Sequence, residues 1–382
     1  MPFSEVQHQT RALSILRQAL ASGRMHHAYL FEGPDGIGKE LAARALATRL
    51  LCQDAELTPE ADACGKCRSC QLLAADNHPD FHLIHRGLHK RHPDRAIRAS
   101  KGLFLVVDLV RTFLIEPATT KPALGGWRVF LVRDAELMNE GAQNALLKTL
   151  EEPPGQACLI LVTSSAERLL PTIRSRCQRI PFDLLPPAFV REQLATQLDI
   201  DSTSADTLAG LADGRLGAAL RWHRVGLLEA LGQVTAALDR LDAVAVESFG
   251  NALVDAATSL AQRSMRAGQE EAEEWSAEEN NAKSNSKTVP TDELRAALKL
   301  VLMLVAAIYR DILVATVDST ARRCLPALRQ RNDKQAQEAS FEMLDARVRA
   351  VVNAEYMLDR NVAPQLVCER LGLALTGTVP VR

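Results

Sequence analysis

The chain has 382 residues and a net charge of −2, so it lacks the global positive field that marks many nucleic-acid-binding proteins. This length favours two or three domains, and the 47% of apolar residues is enough for substantial cores. We find no run of eighteen apolar residues and no signal-peptide pattern, so we expect neither a transmembrane helix nor secretion. A cytoplasmic location is therefore expected, where clustered cysteines more often bind metal than form disulfides.

The first 180 residues alternate short apolar segments with helical patterns. A helix is predicted at 11–23, and strands are predicted at 27–32, 81–84, 127–132 and 157–163. Such alternation is typical of a parallel sheet that is covered by helices. We therefore predict an α/β domain over residues 1–182.

Strand patterns end after residue 182, and the remaining sequence is typical of helices. We predict a small helical lid domain over 183–225 and an all-α domain over 226–382. An acidic and then polar segment at about 268–290 has few large apolar residues, which predicts a mobile insertion between helices. A solvated, charged helix end is the alternative for the first half of this segment.

A phosphate-binding loop is predicted between the first strand and the helix that follows it. Residues 33–40 read GPDGIGKE, in which Gly33, Gly38 and Lys39 fit the G-x-x-x-x-G-K pattern and Gly36 adds a further glycine. Glycines let backbone N–H groups point at phosphate oxygens, and Lys39 would reach the outer phosphates. A glycine-rich turn that fits the pattern by chance is the alternative.

The residues that should hold magnesium depart from this pattern. Glu40 stands where a Ser or Thr normally ligates Mg²⁺. After the strand at 127–132, Arg133 and Asp134 take the positions of the metal-binding Asp and the catalytic Glu, unless the register shifts by one and Asp134 becomes the metal ligand. We predict that Glu40 and Arg133 pair within about 4 Å and fill the metal site. Weak Mg²⁺–ATP binding and little or no intrinsic ATPase activity are expected.

Four cysteines predict a structural zinc site at 52–70. Cys64, Cys67 and Cys70 are separated by two residues each, and Cys52 precedes Cys64 with eleven residues between them. Four thiolates can surround one tetrahedral Zn²⁺ and leave no open position for catalysis. Reduced surface thiols or a redox CxxC pair are alternatives, whereas a zinc-dependent hydrolase would require an open position that an all-cysteine site does not offer.

Several segments resemble the clamp-loader family of DNA polymerase III. They are the HAYLF sequence at 27–31, the four-cysteine knuckle, His78-Pro79-Asp80, NALLKTLEEPP at 144–154 and Ser175-Arg176-Cys177. The resemblance covers roughly residues 1–225. It implies an AAA+ P-loop NTPase domain with a parallel sheet and a zinc knuckle, followed by a small helical lid and a C-terminal helical collar through which subunits associate.

The resemblance also implies roles for particular residues. Arg176 would be an arginine finger that acts in trans on the γ-phosphate of ATP bound by a neighbouring subunit. Thr163 matches the position at which a polar side chain reads the γ-phosphate, and Gly217 stands where a second sensing arginine is expected. With Glu40 and Arg133, this combination describes a subunit that completes a neighbour's ATP site while its own is degenerate.

The partners implied by the resemblance are the gamma/tau and delta subunits of a hetero-pentamer. Contact with the sliding clamp and with primed DNA would occur through that complex, and no membrane is expected. The alternative within the family is the ATP-hydrolysing gamma/tau subunit, which would require Ser or Thr at 40 and Asp-Glu at 133–134. An independent ATPase is a further alternative, which ATP turnover by the isolated chain would distinguish.

Overall fold

The computed structural model describes residues 2–54, 58, 61–100, 102–274 and 289–378, and of 269–274 it describes the backbone alone. The chain divides into two compact units, Met1–Pro186 and Pro187–Arg382, and each has its own hydrophobic core. The boundary lies four residues beyond the predicted end of the α/β domain at 182. The division of the second unit into a lid and a collar stays a prediction.

A five-stranded parallel sheet in the order β2-β3-β4-β1-β5 forms the centre of the first unit. Its strands are β1 (Ala28–Glu32), β2 (Phe81–Ile84), β3 (Arg128–Val132), β4 (Ala157–Thr163) and β5 (Gln178–Pro181). Strands β3 and β4 are buried along their whole length, which explains their continuous rather than alternating apolar sequences. The first four strands confirm the sequence prediction, whereas β5 was not predicted because QRIP is short and half polar.

Among the described residues of this unit, eight α-helices precede or connect these strands. They are α1 (Thr10–Ala21), α2 (Lys39–Leu51), α3 (Arg68–Ala74), α4 (Arg95–Arg98), α5 (Val107–Val110), α6 (Glu116–Ala118), α7 (Glu140–Glu151) and α8 (Pro171–Arg176). Their starts follow from local sequence: the Asn139 side chain accepts a hydrogen bond from the backbone of Ala142 at the start of α7, and α8 begins with a proline. A π-helical turn at Arg111–Ile115 joins α5 to α6.

Because the strands are parallel, their carboxyl ends share one edge of the sheet and their amino ends share the other. The pairing of Glu32 with Thr163 and of Tyr29 with Gln178 fixes this arrangement around β1. We use "carboxyl edge" for the residues that directly follow the strands, such as 33–40 and 133–134. We use "amino edge" for those that directly precede them, such as 78–80 and 171–176.

The second unit consists of helices, as predicted. They are α9 (Pro187–Leu198), α10 (Ser202–Ala212), α11 (Leu216–Arg224), α12 (Leu227–Asp239), α13 (Val246–Glu274), α14 (Thr291–Val317), α15 (Arg329–Glu338), α16 (Phe341–Asp359) and α17 (Pro364–Leu375). Their shared core includes Leu253, Val301, Leu344 and Val367. Residues 268–274 continue α13, in agreement with the charged helix end considered for the predicted insertion, and residues 275–288 lie outside the described residues.

Helix α14 is long and apolar enough, by length and composition, to cross a membrane, although no membrane-spanning helix was expected from the sequence. Its most apolar 18-residue window has a mean hydropathy of 2.1, and 44% of that window is buried inside the structure. Leu298, Val301 and Ile308 pack into the core of the second unit. The apolar character of α14 therefore has an explanation in the packing of this unit, and a core helix of this kind meets the same criteria of length and composition.

Candidate functional site

The predicted phosphate-binding loop is present between β1 and α2. Gly33, Gly36 and Gly38 have positive φ angles of 144°, 77° and 99°, and a Cβ at Gly33 would lie 2.5 Å from the carbonyl oxygen of Phe182. Glycine is therefore required at Gly33 for both conformation and space. Lys39 is buried, and its ammonium donates to the carbonyl oxygens of Gly33 at 2.7 Å and Pro34 at 2.5 Å. The lysine is thus held against the loop's own backbone.

The predicted ion pair between Glu40 and Arg133 is confirmed. Arg133 Nη2 lies 2.6 Å from Glu40 Oε1, well within the predicted limit. Arg44 Nε donates to the same oxygen at 3.2 Å, and Arg44 Nη1 also reaches Asp76 at 2.7 Å. The sequence reasoning missed Arg44, although the i,i+4 spacing from Glu40 is a signal that could have found it. One carboxylate is therefore held by two guanidinium groups.

The electrostatics of this cluster keep Glu40 ionised. Burial acts to raise the pKa of Glu40, but the hydrogen bond and charge of Arg133, together with Arg44, outweigh it and lower the pKa. The opposite holds for Asp134, whose pKa is raised by burial and by nearby Glu136. Asp134 also adopts a left-handed backbone conformation with φ of 52°. The pKa values of Glu40 and Asp134 are therefore shifted in opposite directions, and Glu40 is already paired with two cations.

Thr163 lies at the end of β4 and is fully buried. Its Oγ1 accepts a hydrogen bond from the backbone N–H of Ser165 at 3.1 Å, and Thr163 is the register partner of Glu32. The Glu32 carboxylate binds Arg179 through two oxygens at 2.8 to 3.0 Å. The carboxyl edge thus collects all the predicted residues of the nucleotide site: Gly33, Gly36, Gly38, Lys39, Glu40, Arg133, Asp134 and Thr163.

The four predicted zinc ligands come together between α2 and α3. Cys52 Sγ lies 3.6 Å from Cys64 Sγ and 3.9 Å from Cys67 Sγ, and the four sulfur atoms all lie within 4.8 Å of one another. Four sulfurs at about 2.3 Å from a tetrahedral zinc would be about 3.8 Å apart. The backbone N–H of Cys67 points at Cys64 Sγ, and that of Cys70 points at Cys67 Sγ. This cluster can therefore hold a metal ion, and N–H groups directed at sulfur are suited to thiolates.

His78, from the His-Pro-Asp motif, ties the cysteine-bearing segment to the amino edge. Its Nε2 lies 2.7 Å from the hydroxyl of Ser69, which is in α3 directly beside Cys70. The Ser69 hydroxyl donates to the carbonyl oxygen of Leu51 at 2.5 Å, so the end of α2 joins the same contact. The other ring nitrogen, Nδ1, accepts from the backbone N–H of Asp80. The motif therefore connects the cysteine cluster to strand β2.

Asp80, from the same motif, is fully buried, and both oxygens of its carboxylate accept hydrogen bonds. Its carboxylate accepts from the backbone N–H groups of Ala123 at 2.6 Å and Leu124 at 2.9 Å, and it pairs with Arg128 at 3.1 Å. Burial acts to raise the pKa of Asp80, but these donors outweigh it and lower the pKa. Because Arg128 begins β3, Asp80 fastens the starts of two neighbouring strands and the loop between them.

Arg176 is at the amino edge, remote from the phosphate-binding loop of its own chain. It ends α8 two residues before Gln178, which is the register partner of Tyr29 in β1. Counted along the direction of the parallel strands, Gly33 therefore lies about six residues beyond Arg176. At 3.3 Å per residue, this is a separation of roughly 20 Å. The side chain remains 34% exposed, and its Nη2 contacts Glu151 at 2.5 Å. Arg176 thus cannot serve the loop at the carboxyl edge of its own sheet.

Gly217 belongs to the second unit, in the first turn of α11. The neighbouring Arg215 donates to the carbonyl oxygen of Ala212 and lies over the ring of Trp222 at 5.5 Å. Its guanidinium is therefore engaged within its own unit.

The sheet order, the phosphate-binding loop after the central strand β1 and the helical second unit define a protein of the AAA+ class of P-loop NTPase folds. Residues 8–186 match the model of the family described as DNA polymerase III, delta subunit.

Curated relatives carry two kinds of name. The chain is 41% identical over 216 residues to the DNA polymerase III subunit delta' of Pseudomonas aeruginosa, an alignment that covers 56% of this chain and 61% of the relative. It is 36% identical over 200 residues to subunit delta' of Escherichia coli, with 52% and 55% covered. It is also 39% identical over 193 residues to subunit gamma/tau of Mycobacterium bovis, with 50% and 30% covered. The chain thus spans little more than half the length of its delta' relatives.

Solved structures give a weaker likeness. A DNA polymerase III gamma subunit-related protein from Thermotoga maritima aligns over 96% of this chain and 99% of its own, with 16% identity and a TM-score of 0.39.

Proposed function

We propose that the chain is a delta-prime-type subunit of a bacterial DNA polymerase III clamp loader. In this function it helps to load the sliding clamp onto primed DNA, as a cytoplasmic member of a hetero-pentamer with gamma/tau and delta subunits and as a component of the polymerase holoenzyme. The observation that carries the proposal is the placement of Arg176 and the phosphate-binding loop at opposite edges of one sheet.

The proposal assigns no ATP hydrolysis to the chain's own loop. Magnesium would have to enter between position 40 and position 133, where Glu40 and Arg133 are 2.6 Å apart. A guanidinium in direct contact with the would-be ligand repels a divalent cation, and metal-assisted hydrolysis needs that cation. The Glu40–Arg133 ion pair therefore supports a degenerate nucleotide site.

The gamma/tau subunit is the second candidate, because the chain is 39% identical to one such relative. That subunit would need a hydroxyl at position 40 and an Asp-Glu pair at 133–134, where this chain has Glu40, Arg133 and Asp134. The Glu40–Arg133 ion pair therefore favours the delta-prime-type function.

A structural zinc ion is part of the proposal. Cys52, Cys64, Cys67 and Cys70 would hold it, and an all-thiolate site has no open coordination position for a substrate. Its role would be to fold the segment between α2 and α3, which His78 and Ser69 fasten to the sheet.

Arg176 would act on a neighbouring subunit. An arginine that reaches the γ-phosphate in the transition state increases the rate of hydrolysis by about 10³ to 10⁵ at that site. The 34% exposure of Arg176 and its distance from its own loop fit an outward role.

The decisive experiment is reconstitution of the complex with wild-type chain, Arg176→Ala or Arg179→Ala. We expect Arg176→Ala to assemble normally but to lose clamp-stimulated ATP hydrolysis at the adjacent site. Arg179→Ala is the matched control, because it removes an arginine that also forms an ion pair, with Glu32, and that is 55% exposed. Unchanged ATP hydrolysis with Arg176→Ala would rule out the finger, and brisk Mg²⁺-dependent turnover by the isolated chain would rule out the degenerate site.

A further inference from the structure

We infer that Glu151 is a positioning residue for Arg176, an inference that rests on the proposed role of Arg176 as a finger in trans. Glu151 ends α7, at the LEEPP segment, and Arg176 ends α8. Their side chains meet at the amino edge, with Arg176 Nη2 2.5 Å from Glu151 Oε1. The carboxylate fixes the guanidinium in one orientation before a neighbouring subunit arrives.

The hydrogen bonds of Arg176 leave some of its guanidinium N–H donors available for another partner. Nη2 donates to Glu151, and Nη1 donates to the carbonyl oxygen of Thr172 at 3.0 Å. A guanidinium has five N–H donors in one plane, so these two bonds use two of them. Within the described part of the chain, the structure gives no partner for the other three. Glu151 and Thr172 therefore hold the guanidinium plane on one side, and N–H donors on the other side remain for a phosphate.

The backbone beneath Glu151 is itself anchored. Leu150, the residue before it, is buried in the core of the first unit, and its carbonyl oxygen accepts a hydrogen bond from His27 Nε2 at 2.8 Å. His27 directly precedes β1. The carboxylate of Glu151 therefore projects from a rigid point, which a residue that orients another side chain requires.

The location of Glu151 is unfavourable for the helix that carries it. The carboxyl end of a helix has a partial negative charge, so an acid in the last turn is destabilising there, and α7 ends with Glu151 followed by Glu152. An ion pair that is 34% and 48% exposed contributes little to stability in return. Because Glu151 is an acid at the carboxyl end of a helix and gains little stability from its ion pair, its presence is more readily explained by a function.

The effect on catalysis follows from conformational freedom. A free arginine samples many rotamers, and only some of them place the guanidinium against the γ-phosphate. Holding it in one orientation raises the fraction of encounters that are productive, which acts on kcat rather than on nucleotide affinity. Glu151 never has to touch the nucleotide for this effect.

The test compares Glu151→Ala, Glu151→Gln, Glu152→Ala and Arg176→Ala in the reconstituted complex, with ATP hydrolysis at the adjacent site as the readout. We expect Glu151→Ala to lower kcat about two- to fivefold with KM nearly unchanged. Glu151→Gln keeps an acceptor oxygen and should restore most of the rate. Glu152→Ala removes a neighbouring acid for which the described structure shows no ion pair, and it should match the wild type. Thermal melting of each variant checks folding.

The outcomes separate this inference from the proposed function. A wild-type kcat for Glu151→Ala, together with an impaired Arg176→Ala, would overturn the positioning role and leave the finger intact. An unimpaired Arg176→Ala would overturn the finger itself. A lower melting temperature for both Glu151 variants without a change in kcat would assign the pair to stability and overturn the positioning role.

Discussion

An arginine–glutamate ion pair lies at each edge of the sheet, but the two pairs differ in how many guanidinium groups hold the carboxylate. At the carboxyl edge, Glu40 is held by both Arg133 and Arg44, in the place where a nucleotide site of this fold would hold magnesium. At the amino edge, Glu151 contacts Arg176 through one nitrogen. Two pairs of the same chemistry thus differ in their surroundings, because the carboxylate of Glu40 is held by two guanidinium groups and that of Glu151 by one.

The edges also differ in how they are built. The amino edge is fastened by the buried pair of Asp80 and Arg128 and by the contact between His78 and Ser69 beside the cysteine cluster. The pair of Glu40 and Arg133 at the carboxyl edge is about one-third exposed. We therefore expect substitution of the buried Asp80 or Arg128 to cost more stability than substitution of Glu40 or Arg133.

The largest effect is expected from loss of the metal. Structural zinc sites have apparent binding free energies on the order of 10 kcal/mol, and Cys70 is the buried member of the cluster. Cys70→Ser should reduce the zinc content, measured by elemental analysis, from one ion per chain to none and should lower the melting temperature. Cys158→Ser, at a buried cysteine outside the cluster, is the control and should retain the metal. A metal-free wild-type chain with an unchanged melting temperature would contradict the zinc site.

Asp80→Ala should have the next largest effect. It leaves Arg128 buried without its carboxylate and removes the acceptor of two backbone N–H groups, so we expect a loss of about 3 to 5 kcal/mol in the free energy of unfolding. For a unit of this size, that corresponds to a fall of roughly 10 °C in melting temperature.

A double-mutant cycle sharpens this prediction. Asp80→Ala combined with Arg128→Met removes both charges, and urea denaturation should show the double variant to be less destabilised than the sum of the two single variants. If the losses in the free energy of unfolding were additive, Asp80 and Arg128 would not be energetically coupled. The expected difference in stability between the two edges would then be contradicted.

Arg133→Ala should have the smallest effect, about 1 kcal/mol or less at pH 7, because solvent screens the partly exposed pair. The pKa of Glu40 is lowered in the folded chain, so its contribution is present above the unfolded pKa and is lost as the pH falls through the folded pKa. Urea denaturation at several pH values should show the difference from wild type shrinking in acid. A difference that grows in acid would contradict the sign of this linkage.

Much of the site was predictable because its residues are close in sequence or lie at the ends of apolar strands. The phosphate-binding loop, the cysteine cluster and the pairing of Glu40 with Arg133 follow from a motif, a spacing and two opposite charges at facing positions of a known fold. The contacts of Arg44 with Asp76 and of Arg176 with Glu151 join distant residues and depend on side-chain rotamers, which no local pattern specifies. Strand β5 escaped prediction because its environment, rather than its composition, makes it a strand.

His27 connects the start of β1 to the LEEPP segment. Its imidazole donates a hydrogen bond to the carbonyl oxygen of Leu150 at one end of the strand, and the glycine-rich loop begins at the other end, at Gly33. The five residues of β1 therefore connect the LEEPP segment at the amino edge with the phosphate-binding loop at the carboxyl edge.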